Sequence, residues 1–272
     1  MTVEDCVIHE IVSELGRTAD YDKRRADIRE WNQTSQTLKR GIALTPVKFG
    51  ISFTLTFLNQ AGALVHIYND GSIHLNHGGT EMGQGLFTKV AQVAARSFQV
   101  DIDRIKITAT HTGKVPNTSA TAASSGSDLN GMATADACTK IKKRLQNFAA
   151  ERWQTSPDEV KFYPGRVQVG CDTISFDELI CEAYQARVSL SATGFYATPK
   201  INWNKAQAKG RPFFYFAYGA AVTEVAIDTL TGENRMLRVD ILHDVGKSLN
   251  PAIDLGQIEG GFIQGAGWLT TE

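Results

Sequence analysis

The sequence is short of several things, and each shortage argues against something. Cysteine is scarce, with four in 272 residues. Cys6, Cys138, Cys171 and Cys181 form no CxxC pair and accompany no histidines at zinc-ligand spacing, so neither a disulfide framework nor a zinc site organises the chain. The sequence predicts instead reduced, buried thiols in a cytoplasmic protein. An excess of charge of one sign is also missing. Lys plus Arg number 28 and Asp plus Glu 29, a net charge of −1, whereas a dedicated nucleic-acid binder shows a basic patch and a high pI. Apolar runs are short, YFAYGAAV being among the longest, so no segment is suited to span a bilayer. The N-terminal MTVEDCVIHE lacks the basic region of a secretory signal. No repeat or low-complexity tract occurs. What remains, 42% hydrophobic and 21% charged residues, is ordinary globular composition for one or two domains.

Periodicity supplies the organisation. Val7, Ile8, Ile11, Val12 and Leu15 recur at helical spacing, and a second, charged helix carries Tyr21, Ile28 and Trp31. The β-branched, aromatic stretch from Gly41 to Phe57 predicts strands. Val65 and Ile67, then Ile73 and Leu75, alternate around Asn69-Asp70-Gly71-Ser72, a hairpin pattern. Two loops of small residues then each feed a helix. The first is GGTEMGQG (Gly78 to Gly85) and the second TGKVPNTSATAASSGS (Thr112 to Ser127), with a short strand at Ile105 and Ile107 between them. Ser156 and Ser175 each open a Ser-x-x-Glu capping pattern. Phe213 to Val245 predicts strands turning at Thr231-Gly232-Glu233. Asn250-Pro251 starts a helix with five glycines, which must approach a neighbour or ligand closely to recover up to about 1 kcal/mol each.

The two loops are the sharpest candidates for chemistry. Small residues opening a helix leave backbone N–H groups that favour phosphate or another anion. A single loop is equally well a tight turn; two in one domain point to a polyanionic ligand. Neither matches the P-loop or the dinucleotide fingerprint. Gln84 and Gln257 offer amides to a heteroaromatic ligand, or are surface glutamines. His66, His74 and His77 have mixed parity on the hairpin and do not converge for metal ligation. Glu81 and Glu259 read as loop carboxylates near helix starts.

At these loops the chain resembles a known family. GGTEMGQGLFTKVAQVA, PNTSATAASSGSDLNG, SLSATGFYATP and DVGKSLNPAIDLGQIEGGFIQG together look like the molybdenum-binding part of the xanthine dehydrogenase/oxidase family, from about Gly41 to the last residue. The aldehyde oxidases share EMGQG and DLNG, but FGISFTLTFLNQAGALVHIY and TSATAAS are closer to the xanthine enzymes. The resemblance implies an α+β molybdopterin-binding fold built of strand–loop–helix units, with residues 1–40 as leading helices and 41–272 as a partial cofactor-binding domain. It implies that Gly83 and Gln84 contact the pterin, that Ala123 and Ser124 line it, and that Gln257 hydrogen-bonds it. Phe53 would stack on a purine substrate and Thr54 donate to it. Gly126 departs from the serine of some relatives, where a backbone donor replaces the hydroxyl.

The implied chemistry is hydroxylation of an electron-poor carbon with water as oxygen source. Electrons would leave through iron–sulfur (2Fe-2S) and flavin (FAD) centres in partner domains or subunits of an oligomer. Molybdenum would be held by the cofactor's dithiolene, so no protein ligand set is expected. The family's catalytic glutamate lies in a GEPP-type motif that is missing here, as are its FGG-containing and RGFGGPQ loops. The sequence therefore predicts a middle part of the molybdenum subunit, inactive alone. An aldehyde or other N-heterocycle hydroxylase, and a non-catalytic cofactor-binding module, remain alternatives. Phe53-Thr54 discriminates the first, and molybdenum and pterin content the second.

Overall fold

The computed structural model describes residues 4–115 and 118–272. Pro116 and Asn117 of the second loop and the first three residues lie outside the described residues. Along the chain run α1 (Ile8–Thr18), α2 (Tyr21–Thr34) and β1 (Leu38–Ile51), then the hairpin β2 (Gln60–Ile67) and β3 (Ile73–His77). Next come α3 (Leu86–Phe98), β4 (Ile105–Ile107) and α4 (Gly126–Arg152). A meander β5 (Val160–Tyr163), β6 (Arg166–Val169) and β7 (Asp172–Ser175) leads into α5 (Phe176–Gln185) and β8 (Ser191–Ala197). The short pair β9 (Asn202–Asn204) and β10 (Lys209–Arg211) precedes β11 (Tyr215–Asp228), β12 (Asn234–Asp244) and α6 (Pro251–Trp268). The class is α+β, as the resemblance implied.

The chain forms two compact units. The first comprises residues 1–51, 213–248 and 254–272. Its antiparallel sheet has the order β1-β11-β12. Ile11, Leu15 and Ala19 of the α1 region bury against Tyr218, Ala220 and Val222 of β11. α2 is mostly polar and is fixed by charge. Half-buried Arg24 reaches Glu224 at 2.8 Å and Asp240 at 2.9 Å, tying the helix to β11 and β12. No residue of α6 is buried. Of the two expected approaches at its glycines, the one to a neighbouring element is not made: a Cβ at Gly256, Gly260, Gly261, Gly265 or Gly267 would touch no atom of the described residues.

The second unit, residues 52–212 and 249–253, holds the site. Its sheet has the order β4-β3-β2-β8, with β3 and β4 parallel because α3 crosses between them. The inward residues Val65, Ile67, Ile73 and Leu75 meet Val90, Ala94 and Phe98 of α3 and Ile141 and Leu145 of α4 in one core. Gly194 is required where β8 crosses α4, since a Cβ there would collide with the Ala133 carbonyl. Both Ser-x-x-Glu patterns form capping boxes, at Ser156/Glu159 and Ser175/Glu178.

Two expectations need correction. The strand from Gly41 ends at Ile51, and Thr56–Leu58 is a 3-10 turn rather than strand. The cause is buried Asn59, whose side chain takes the backbone groups a ladder would use. Only Cys138 is a buried thiol, pushed up to about 12 by burial, whereas Cys6, Cys171 and Cys181 are exposed. The short strands β5 to β8 lie outside the sequence expectations, although β5 and β6 alternate buried and exposed residues.

Candidate functional site

Three loops of the second unit carry six of the seven residues that the sequence singled out, and hydrogen bonds tie these loops together. The first follows β1 and holds Phe53 and Thr54. Asn59 grips it from beneath: its Oδ1 accepts the Phe53 N–H at 2.7 Å, and its Nδ2 donates to the Phe53 carbonyl at 2.8 Å. Phe53 is half-buried and Thr54 exposed. The loop ahead of α4 reaches this one through Ser119, whose hydroxyl donates to the Leu58 carbonyl and, at 3.3 Å, to that of Gln60. It also reaches the glycine-rich loop ahead of α3, where the Thr80 N–H donates to Thr121 Oγ1 at 2.9 Å.

Within the glycine-rich loop the donors expected to await a phosphate are already taken. Glu81 Oε1 accepts the N–H groups of Gly83 and Gly85, each at 3.0 Å, and Oε2 accepts that of Phe87 at 2.9 Å. The chain's own carboxylate thus occupies the start of α3, where the helix dipole favours an anion. Partial burial pushes this carboxyl up. The N–H groups of Phe87, Gly85, Gly83 and Gln84 outweigh burial and hold it below its ordinary value. Gln84 is spent on the loop as well. Its Oε1 accepts from the Met82 N–H at 2.6 Å and its Nε2 donates to the Thr80 carbonyl at 2.9 Å. Gly83, at φ +94, faces open space.

The loop ahead of α4 is different. The N-cap residue of α4, Ser125, makes no side-chain capping hydrogen bond. Ala123 and Ser124 both sit at φ 54, a left-handed conformation costing a non-glycine residue about 1–2 kcal/mol. An uncapped helix start keeps its first N–H groups as donors for an outside acceptor. Here the expectation of an anion-seeking loop fits the geometry; at the first loop it does not.

Other candidates fall elsewhere. Gln257 lies exposed on α6 of the first unit. Glu259 is a mid-helix residue of α6, not the loop carboxylate that was expected, because the helix runs unbroken through its glycines. His66 and His74 are cross-strand partners on one face of the hairpin, while His77 turns into the interior and is 1% exposed. A cleft of about 700 Å³ between α3 and the start of α5, lined by Gln92, Arg96, Arg104 and Asp177 among others, shares no residue with the three loops. Sequence reasoning missed Asn59, Ser119, Thr121 and Asn130, the polar residues that hold the loops; no residue-type signal separates them from surface polar residues. Among the described residues no helix is long and apolar enough to cross a membrane.

Known proteins resemble this chain over nearly its whole length. The model of the molybdopterin cofactor-binding domain matches residues 14–272. Xanthine dehydrogenase of Oryza sativa subsp. japonica is 48% identical over 270 residues, 99% of this chain and 18% of that protein. Xanthine dehydrogenase/oxidase of Mus musculus is 49% identical over 255 residues, 94% of this chain and again 18% of the relative. The chain therefore spans under a fifth of the length of these relatives. Among solved structures, Cu,Mo-CO dehydrogenase superposes with TM-score 0.79 at 23% identity, over 92% of this chain and 32% of that one. The aldehyde oxidoreductase of Desulfovibrio gigas does so with TM-score 0.77 at 22% identity, over 98% and 26%. At these identities the structural likeness concerns the fold alone. The sequence match carries the assignment: the chain belongs to the molybdopterin cofactor-binding domain family.

Proposed function

We propose that this chain is a section of a molybdenum hydroxylase of the xanthine dehydrogenase type, acting on xanthine- or hypoxanthine-like purines with water as oxygen source. The observation that carries this reading is the hydrogen-bonded set of three loops, which joins the Phe53-Thr54 segment to two backbone-rich helix starts. The residues fit a pterin cofactor. At the start of α4, where Ser125 makes no capping hydrogen bond, N–H donors can serve an acceptor-rich group, and Gly83 leaves room for close approach. When bound, the molybdenum cofactor supplies the two-electron oxidising centre. The chain's own residues supply position. Ala123 and Ser124 present the backbone of the second loop to the pterin, Gly83 and Gln84 give it the preformed surface of the first, and Gln257 adds an amide. Phe53 provides a face for the purine ring and Thr54 a hydroxyl for one of its heteroatoms. Iron–sulfur and flavin partners, and the remainder of a longer molybdenum subunit, complete the electron path.

Two substitutions in the holoenzyme test this. Gln84→Ala should lower molybdenum and pterin content more than substrate affinity, because the loop loses both bonds that shape it, at about 1 kcal/mol each. Normal metal content with only a raised KM would remove Gln84 from the cradle. Thr54→Val should raise KM for purines while sparing aldehydes; equal losses on both substrates would sink the role of its hydroxyl.

A further inference from the structure

His77 ends β3 and is 1% exposed, directly ahead of the glycine-rich loop. Its Nδ1 accepts the Gly79 N–H at 3.1 Å. In the neutral ring the proton therefore sits on Nε2, which makes no well-formed hydrogen bond. Asn130, 4% exposed on the first turns of α4, is its complement. Its Nδ2 donates to the Gly126 carbonyl at 2.8 Å, and its Oδ1 is buried with no well-formed partner. The two side chains are close enough for the Asn130 amide to raise the proton affinity of the imidazole. A donor without an acceptor thus meets an acceptor without a donor, and buried polar atoms of this kind are seldom left unmade. Around them, the ring packs edge-to-face on Phe87 at 5.1 Å, and Thr110 Oγ1 donates to the carbonyls of His77 and Gly79. Gly79 has no room for a side chain, since a Cβ would lie 2.7 Å from Asn130 Nδ2.

We propose that His77 is a positioning residue for the cofactor cradle. Through Asn130 it locks the glycine-rich loop onto the first turns of α4, so that both loops present their backbone in one fixed relation. This rests on the pterin-cradling reading above. The polar bridge, rather than the bulk of the ring, is the active feature. It has the geometry of a clamp: one nitrogen holds the loop after β3 and the other faces the helix that follows the second loop. A neutral imidazole serves both ends, because it accepts at one nitrogen and donates at the other.

Three forms decide the matter: the native protein, His77→Phe and His77→Gln. Phenylalanine keeps the ring and its packing on Phe87 but removes both nitrogens. Glutamine restores an acceptor and a donor. Amide hydrogen exchange of the cofactor-free full chain is the first readout. His77→Phe should speed exchange at Gly79 and over 126–130 about tenfold, the size expected when one buried polar pair is left unmade. His77→Gln should return most of that protection. Pterin and molybdenum content of the holoenzyme is the second readout, falling in His77→Phe and recovering in His77→Gln. Native exchange and native cofactor content in His77→Phe would overturn the proposal. So would a loss that His77→Gln fails to rescue, which would mark the imidazole as core packing. A native holoenzyme without pterin would overturn the functional reading instead, and exchange would still decide the clamp.

Discussion

The two small-residue loops look alike in sequence and are built on opposite principles. The glycine-rich loop ahead of α3 is closed on itself: Glu81 takes three backbone N–H groups and Gln84 takes two further backbone groups. Ahead of α4 the N-cap Ser125 makes no capping hydrogen bond, the acidic residue Asp128 lies within the first turn of the helix, and two loop residues are held at φ 54. The difference teaches that a helix start opened by glycines is an anion site only if the chain does not supply the anion. A carboxylate placed four residues before the N-cap Gly85 satisfies the same donors that a phosphate would. The closed loop offers a preformed surface; the open loop offers donors.

Acid should break this contrast with the largest effect. Burial pushes His77 down from 6.5 to about 4, with the Asn130 amide and Glu81 opposing. The folded state therefore holds the proton less tightly than the unfolded state. Its stability is complete above pH 6.5 and falls as pH drops through 6.5 towards 4, by about 3 kcal/mol in all. Glu81, held below its ordinary 4.5, adds a loss in the same direction at lower pH, as its carboxyl takes up a proton. Thermal unfolding of the full chain between pH 7 and 4 should show the decline, and His77→Gln should flatten its upper part. An identical pH slope in the two proteins would show that His77 does not carry it.

Glu81→Ala should act next in size. It uncaps α3, at a cost of about 1 kcal/mol, and lowers Tm by about 2–4 °C for a unit of this length. It should also convert the closed loop into an open one, so that inorganic phosphate raises the Tm of the variant more than that of the native chain. Phosphate stabilising both proteins equally would remove the carboxylate-for-phosphate reading.

The smallest effect belongs to Ser124→Gly. Relief of the left-handed strain, less the extra freedom of glycine in the unfolded chain, should leave stability unchanged or raise it by a few tenths of a kcal/mol. Cofactor content of the holoenzyme should fall all the same if the rigid backbone is what the second loop contributes. A clear loss of stability would mean that Ser124 makes contacts its exposed position does not suggest.

Much of the fold was legible because it rests on local signals. The hairpin at Asn69–Ser72 and both capping boxes follow from turn and cap chemistry, and β2 and β3 from the alternation of Val65 and Ile67, and of Ile73 and Leu75, with histidines. The stretch after Ile51 was not, because Asn59 overrides a strand-like composition by taking the backbone groups of Phe53. The short strands β5 to β8 went unread because each run is only four to seven residues long, although Val160, Phe162, Val167 and Val169 alternate with exposed neighbours. Cys6, Cys171 and Cys181 show that a thiol's residue type does not settle its burial.

By itself the sequence determined the family, the leading helices, the β2–β3 hairpin and the places where loops of small residues open helices, since motifs, periodicity and capping patterns are read from neighbours along the chain. Tertiary structure alone decided which of those helix starts remains open, that Asn59, Ser119 and Thr121 bind the loops to one another, and that His77 turns inward to face Asn130. The physical reason is that a buried polar group is defined by its partner. A partner such as Asn130 stands 53 positions further along the chain, where no local pattern announces it.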